Sequence, residues 1–308
     1  MPQRDWRYPQ RSEARLQGEV PLFLGAHLGK GPGRRELTPV DRVYAIGDVH
    51  GRFDLFRDLV ELIRQDQAVL PPAFTRIILS GDIVDRGPDS ARMIRGRMAL
   101  TKVSDRFMVL KGNHEEMMER SLRGDLETFE HWLSLGGEQT LLSFGVDPAL
   151  LQELVTSETL RFAVEAVGED VIRWLERLPL THFHDGFLFV HAGIRPGIPI
   201  HKQRSEDLLW IRRDFLDDDS THGVIVVHGH TVVEGGPVIR HNRIGIDTGA
   251  YRTGRLTALG IESGKTWILS TALEPNAHDE LANYQALWRE SMARASGRVS
   301  QEQVGTDE

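Results

Sequence analysis

The 308-residue chain contains no cysteine. That excludes disulfides, thiol nucleophiles and thiolate metal ligands, and leaves the redox compartment open. Nor does any run approach the ~18 consecutive apolar residues that a membrane-spanning helix needs, so a soluble, cytoplasmic chain with no membrane partner is expected. Met1 to Thr38 lacks the apolar centre of a signal peptide. Positive charge is scarce, with 37 Lys and Arg against 45 Asp and Glu and a formal net charge of −8. With a pI of about 5.9, the balance argues against nucleic acid as the main partner. No internal repeat is found.

What is present is concentrated in five short segments: Gly47-Asp48-Val49-His50-Gly51, Gly81-Asp82-Ile83-Val84-Asp85-Arg86-Gly87, Gly112-Asn113-His114-Glu115, His191-Ala192-Gly193 and His228-Gly229-His230. Each follows an apolar run: Val43 to Ile46, Ile77 to Leu79, Phe107 to Leu110, Phe187 to Val190 and Val224 to Val227. Such runs read as buried strands. A buried strand that ends in Gly with Asp, Asn or His presents polar groups at one sheet edge, where open α/β folds place their ligands. Five such edges converging make one site.

Asp48, His50, Asp82, Asn113, His191 and His230 offer carboxylate oxygen, amide oxygen and imidazole nitrogen. That set suits Mn, Fe or Zn, and it is too rich in imidazole for a pure Mg or Ca cage. Six ligands are also too many for one tetrahedral zinc, whereas two divalent ions ~3.5–4 Å apart would use them all, with Asp82 as the natural bridge.

The order GDVHG, GDIVDRG, GNHE, HAG, GH resembles the phosphoprotein phosphatase family of calcineurin-like metallophosphoesterases. Within it the chain looks most like the bacteriophage lambda and bacterial serine/threonine protein phosphatases. The likeness extends to His131-Trp132-Leu133 with Gly136-Gly137, to Leu209-Trp210-Ile211-Arg212 and to Ile246-Asp247-Thr248-Gly249-Ala250, over roughly residues 40 to 265. It implies an α/β fold of the α+β sandwich kind, two packed β-sheets flanked by helices, with Asp48, His50 and Asp82 on one metal and Asp82, Asn113, His191 and His230 on the other. It also implies His114 as general acid, Asp85 as its partner, and Arg86 with Arg212 as phosphate clamps. The expected reaction is direct attack of a metal-bridging hydroxide on a phosphomonoester, with Mn the first expectation for the metal pair.

These roles make chemical sense. A departing serine alkoxide needs a proton, and a positioned imidazolium supplies one for a gain of ~100- to 10,000-fold. A carboxylate beside it favours the charged ring, and planar guanidinium forks match phosphoryl oxygens. His228 reads as support or core packing rather than a ligand, His182 and His184 as a solvated strand face, and Glu115 as helix N-terminal or supporting charge. Asp247 reads as a turn anchor, and Arg212 is preferred to Arg213 on the Leu-Trp-x-Arg match.

The expected organisation is a flexible leader over 1–38, a catalytic domain over 39–273 with a helical excursion over 116–178, and a C-terminal helix and disordered tail over 274–308. The excursion shows helical spacing from Met117 through Phe129 and Leu141 to Leu154 and Leu175, and reads as a cap at the cleft rim or as ordinary covering of the sheet. Strands at Val238–Arg240, Arg243–Asp247, Leu256–Ile261 and Thr266–Ser270 are expected in a second sheet layer.

The leading functional expectation is a serine/threonine-type protein phosphatase whose partner is a phosphoprotein or phosphopeptide. The alternative is a symmetrical dinucleoside tetraphosphate hydrolase, which shares the metal motifs and the Trp174-Leu175, Pro179-Leu180 pattern. Those hydrolases tend to have Ala where this chain has Asp85 and Asp where it has Glu115. A third possibility, an inactive phosphate-binding module, is disfavoured because every proposed ligand and both dyad members are present.

Overall fold

The computed structural model describes residues 41–152 and 156–272. The expected leader over 1–38, the C-terminal helix and tail over 274–308, and Leu154 lie outside the described residues. Strand β1 (Asp41–Ile46) sits centrally in a five-stranded sheet. It pairs in parallel with β2 (Phe74–Leu79), and β2 pairs in parallel with β3 (Phe107–Val109). Tyr44 and Ile46 pack among the helices while Val43 and Ala45 alternate into the space between the sheets, so both faces are covered and the run is continuously apolar.

Helix α1 (Phe53–Val69) follows β1, burying Phe53, Phe56, Leu59 and Ile63 at helical spacing. It stops where Leu70 turns extended ahead of Pro71 and Pro72, which cannot continue a helix. Helix α2 (Ser90–Val103) follows β2. After β3 come α3 (Asn113–Leu122), α4 (Leu126–Trp132), a connecting turn (Leu133–Gly137) kinked at Gly136 and α5 (Glu138–Ser143). Then follow α6 (Pro148–Gln152), α7 (Ser157–Val167) and α8 (Glu169–Glu176). Phe129, Trp132, Leu141, Leu160, Ile172 and Leu175 from this region join the same apolar cluster as α1 and the outer face of β1 and β2. The excursion therefore covers the first sheet, and its Trp132 end also reaches the site.

The second sheet runs β4 (Thr181–His184), β5 (Phe187–Val190), β6 (Ile225–His228), β8 (Arg243–Gly245) and β7 (Val238–Ile239) in spatial order. Its three inner strands are parallel and its two edge strands antiparallel. Phe187, Phe189, Val227, Ile244 and Ile246 meet Val43, Ala45 and Ile78 between the sheets. On the outer face, Leu188, Val190 and Val226 pack with Phe215, beside α9 (Ser205–Trp210) and α10 (Arg213–Leu216).

Two expected strands change sheets. After α11 (Ala250–Thr253), β9 (Thr257–Glu262) and β10 (Lys265–Ser270) join the first sheet, where β9 pairs antiparallel with β1 from Arg42 and Glu262 to Ile46 and Ala258. With β2 on one edge of β1, the returning hairpin takes up the backbone groups of the other, which would otherwise lie unpaired. The histidines of β4 also differ from expectation. Phe183, 56% exposed, faces solvent, while His182 and His184 are half-buried on the inter-sheet side. Register explains this, because they lie opposite Phe189 and Phe187, which belong to the inter-sheet core.

Candidate metal centre and acid dyad

The loops that end β1 and β2 are stitched together by backbone bonds from Val49 and His50 to the Asp82 carbonyl, at 3.1 and 2.8 Å. Glu115, in the first turn of α3, completes the frame. Its carboxylate accepts from the amides of Asp82 (2.7 Å), Ile83 (2.8 Å) and Gly112 (2.8 Å). One side chain thus joins the ends of β2 and β3, and its charge favours the helix N-terminus. His50, Asp82, Asp85, Arg86 and His230 all adopt positive φ, between 46° and 71°. Such left-handed conformations cost L-residues ~1–2 kcal/mol each, a strain held by the surrounding packing.

The side chains converge on Asp82. Its Oδ2 lies 3.7 Å from His50 Nε2 and 3.9 Å from His114 Nε2, whereas its Oδ1 lies 3.4 Å from His191 Nε2. Two buried groups have ligand atoms close enough to hold a cation, His50 with Asp82 and His114, and Asp82 with His191 and His230. Asp82 belongs to both, as a bridging carboxylate would. Asn113 Oδ1 sits 2.8 Å from both His191 Nε2 and His230 Nδ1. Asp48 Oδ2 accepts from the His230 amide at 3.0 Å, and its Oδ1 is buried without a partner.

The ring tautomers are set by the backbone. His50 Nδ1 faces the Val84 carbonyl and His191 Nδ1 the Ser80 carbonyl, each at 2.9 Å. Donation there leaves each Nε2 as a lone pair, the arrangement usual for a metal-bound histidine. His191 Nε2 and the Asn113 oxygen then face one another as two acceptors, an arrangement that a cation between them would stabilise. Burial, the largest influence, lowers the pKa of His50, His191 and His230. Burial alone would raise Asp82, but the surrounding imidazoles, His191 first, hold it well below the usual carboxylate range. Asp48 is pushed well up by burial, with Asp247 and Asp82 adding to the push. A buried carboxylate at Asp48 that resists ionisation, its orphaned oxygen and lone pairs facing inward suit a site for divalent cations.

Beside the cluster lies a buried histidine–carboxylate pair. His114 Nδ1 meets Asp85 Oδ2 at 2.6 Å. Burial works against charging His114, but Asp82 and Asp85 outweigh it and raise its pKa. The same Asp85 oxygen accepts from Trp132 Nε1 at 2.8 Å, and the other accepts from Thr140 Oγ1 at 2.6 Å. Arg86 Nη1 and Nη2 reach His50 Nε2 (2.8 Å) and His114 Nε2 (3.0 Å), and its guanidinium lies 4.5 Å from the Tyr251 ring centre. At the opposite end, Arg212 Nη1 approaches the His230 carbonyl at 3.3 Å. Arg213 begins α10, one residue beyond.

All ten residues expected in the site therefore lie in or beside one cluster. His228 is buried on Phe215, with Nδ1 towards the Gly229 carbonyl at 3.0 Å, and belongs to neither ligand group. Asp247 accepts from the Gly249 amide at 2.9 Å; burial, with Asp82 adding, lifts it to about 6. Sequence reasoning missed the parts played by Trp132, Thr140 and Tyr251. The His-Trp-Leu likeness marked Trp132 without a role, and nothing marked the other two.

A family model described as calcineurin-like phosphoesterase matches residues 41–252. The asymmetrical bis(5'-nucleosyl)-tetraphosphatase PrpE of Bacillus thuringiensis (strain Al Hakam) is 30% identical over 234 residues, which cover 70% of this chain and 88% of that protein. The symmetrical bis(5'-nucleosyl)-tetraphosphatase of Aromatoleum aromaticum is 31% identical over 157 residues, 50% of this chain and 45% of that one. The chain thus spans under half the length of the Aromatoleum relative. A crystal structure provisionally described as a diadenosine tetraphosphatase superposes with a TM-score of 0.50 at 20% identity, covering 78% of this chain and 96% of that one. That likeness shows the fold.

Proposed function

We propose that this chain, which belongs to the calcineurin-like phosphoesterase family, hydrolyses dinucleoside tetraphosphates. The observation that carries this reading is the similarity to a Bacillus tetraphosphatase along 88% of that protein's length. It reverses the order expected from the sequence, where a phosphoprotein substrate led. Glu115 no longer speaks for the phosphatase, because its carboxylate is fully occupied with the amides of Asp82, Ile83 and Gly112. It reports how the loops are framed, not which group leaves.

Members of the family use a dinuclear metal centre. In this chain Asp48, His50, Asp82, Asn113, His191 and His230 would hold the pair, with Mn the first choice and Fe or Zn compatible with the donor set. Two such cations supply Lewis acidity to a phosphoryl oxygen and lower the pKa of water. The remaining steps belong to the side chains. Arg86 and Arg212 flank the two ends of the cluster and would each bind phosphoryl oxygens, adding charge where it spreads in the transition state. Arg86 donating to His114 Nε2 requires a neutral ring, whereas the carboxylates around His114 favour its charged form. A phosphoryl group between them would let both be cations, with His114 Nε2–H directed at the leaving oxygen.

Acid assistance is where the second reading gains support. A phosphate leaving group is already acidic and needs little of it, while a serine alkoxide needs much. The His114–Asp85 contact at 2.6 Å favours a phosphomonoester such as phosphoserine. The deciding experiment strips the metals, restores Mn, Zn or Mg separately, and offers diadenosine tetraphosphate and a phosphoserine peptide in parallel. Metal-dependent cleavage of the dinucleotide much faster than of the peptide is expected, and its products distinguish symmetrical from asymmetrical cleavage. Phosphate release from the peptide alone would overturn the proposal in favour of the phosphatase.

A further inference from the structure

At the end of the sandwich away from the metal cluster, the inter-sheet core gives way to basic residues. Along β2, Ile78 faces the core and Arg76, two residues earlier, continues the same face. Met108 of β3 packs against that core, and Arg106 lies two residues before it. On β4, His182 and His184 share the face of their register partners Phe189 and Phe187. These residues line a cavity of about 250 Å³ between the edge strands of the two sheets. Its lining includes one acid, Asp105, and Asp41 reaches Arg76 at 3.1 Å. Four basic side chains at one mouth are conspicuous in a chain of net charge −8.

The site is also held in shape. The guanidinium carbons of Arg106 and Arg76 lie 4.3 and 4.9 Å from the centre of the Phe74 ring, so both cations are fixed against one aromatic. His182 packs on Phe189 at 6.2 Å, and its Nε2 is buried without a hydrogen-bond partner. An unpaired buried ring nitrogen is costly, and an anion or its proton would complete it. Burial, then His184 and Arg76, lower the pKa of His182.

We propose that this mouth is a second anion site, which takes a phosphate group on Arg76, Arg106, His182 and His184, apart from the metal centre. Three residues of strand, roughly 10 Å, separate Arg76 from Leu79 before the metal-bearing loop even begins. The volume is below the ~300–1,000 Å³ of sites for drug-sized ligands, so it fits phosphate or the phosphate end of a nucleotide.

The test is calorimetric titration of the metal-loaded full chain with inorganic phosphate and, separately, AMP. Two equivalents are expected to bind. Arg106→Glu and His182→Leu should each weaken one of them by at least ~10-fold, the worth of a charged hydrogen bond, while turnover without added phosphate is unchanged. AMP binding more tightly than phosphate would place a nucleotide there, and equal binding would place free phosphate. A single equivalent in the unmutated protein, or two undiminished in both folded variants, would overturn the site. Because the readout is stoichiometry, it is independent of which phosphoester the metal centre cleaves.

Discussion

At the scale of the residue, His114 and Asp85 carry the sharpest consequence. Replacing His114 with Asn should lower turnover of a phosphoserine peptide by ~100- to 10,000-fold, the usual span for a positioned acid, and cost much less on a phosphoanhydride. Metal content, measured on the same sample, should not change. The two carboxylates near His114 raise its pKa, so its proton is available below that value and acid-assisted turnover falls as pH rises through it. Asp85→Asn removes one of those carboxylates, and the basic limb of the pH–rate profile should move to lower pH. A limb that stays in place would deny Asp85 this role. The residues that gather around Asp82 were legible because metal chemistry needs particular atoms, and a chain without Cys leaves few that qualify. Thr140 was not legible, since a threonine in a helix announces nothing until the fold lays its hydroxyl 2.6 Å from Asp85.

At the scale of the element, the kinked turn between α4 and α5 gives the helical excursion a duty beyond covering the sheet. Gly136 within it has φ of 116°, and its carbonyl accepts from the Arg86 amide at 3.1 Å. A Cβ there would meet the Arg86 backbone nitrogen at 2.8 Å. Gly136→Ala should therefore lower kcat while leaving metal content intact, and destabilise the protein by ~1–3 kcal/mol through strain at that φ. Urea unfolding beside steady-state kinetics checks both parts. Trp132→Phe keeps most of the packing volume and removes only the Nε1 donor to Asp85, so kcat on the phosphoserine peptide should fall more than stability does. The helices themselves were visible in the spacing of Phe129, Leu141 and Leu175. A break at Gly136-Gly137 was visible too, and Gly136 is non-helical; its bond to the Arg86 amide was not, because it joins residues far apart in the chain.

For the whole molecule, cation binding and proton binding compete. Asp48 is held well above the ordinary range, Asp247 at about 6 and Glu115 at about 7, each chiefly by burial. Raised carboxylates favour the fold when protonated, and that contribution is lost as pH climbs through those values. Titrating Mn into chelated protein near pH 6.5 should release protons, seen as a binding enthalpy that varies with the ionisation enthalpy of the buffer. Added metal should also raise the melting temperature, by an amount equivalent to ~2.7 kcal/mol at a hundredfold excess over Kd. An enthalpy independent of buffer would mean the carboxylates are already ionised. The two-sheet architecture was legible from runs such as Val43–Ile46 and Phe187–Val190, whose ends lead into the clustered Asp and His residues. The return of β9 and β10 to β1 was not, because sheet membership is a long-range pairing, and Leu256–Ile261 is apolar enough for either layer.

The frame made by Glu115 has a consequence in the time domain. Amides in a sheet resist exchange with solvent because neighbouring strands hold them, and they are released when the ladder opens. The amides of Asp82, Ile83 and Gly112 are held by a carboxylate from a helix, so their protection should follow the rotamer of one side chain. In deuterated water these three would exchange together, at a rate that clocks the loosening of the metal loops while the strands beneath stay closed.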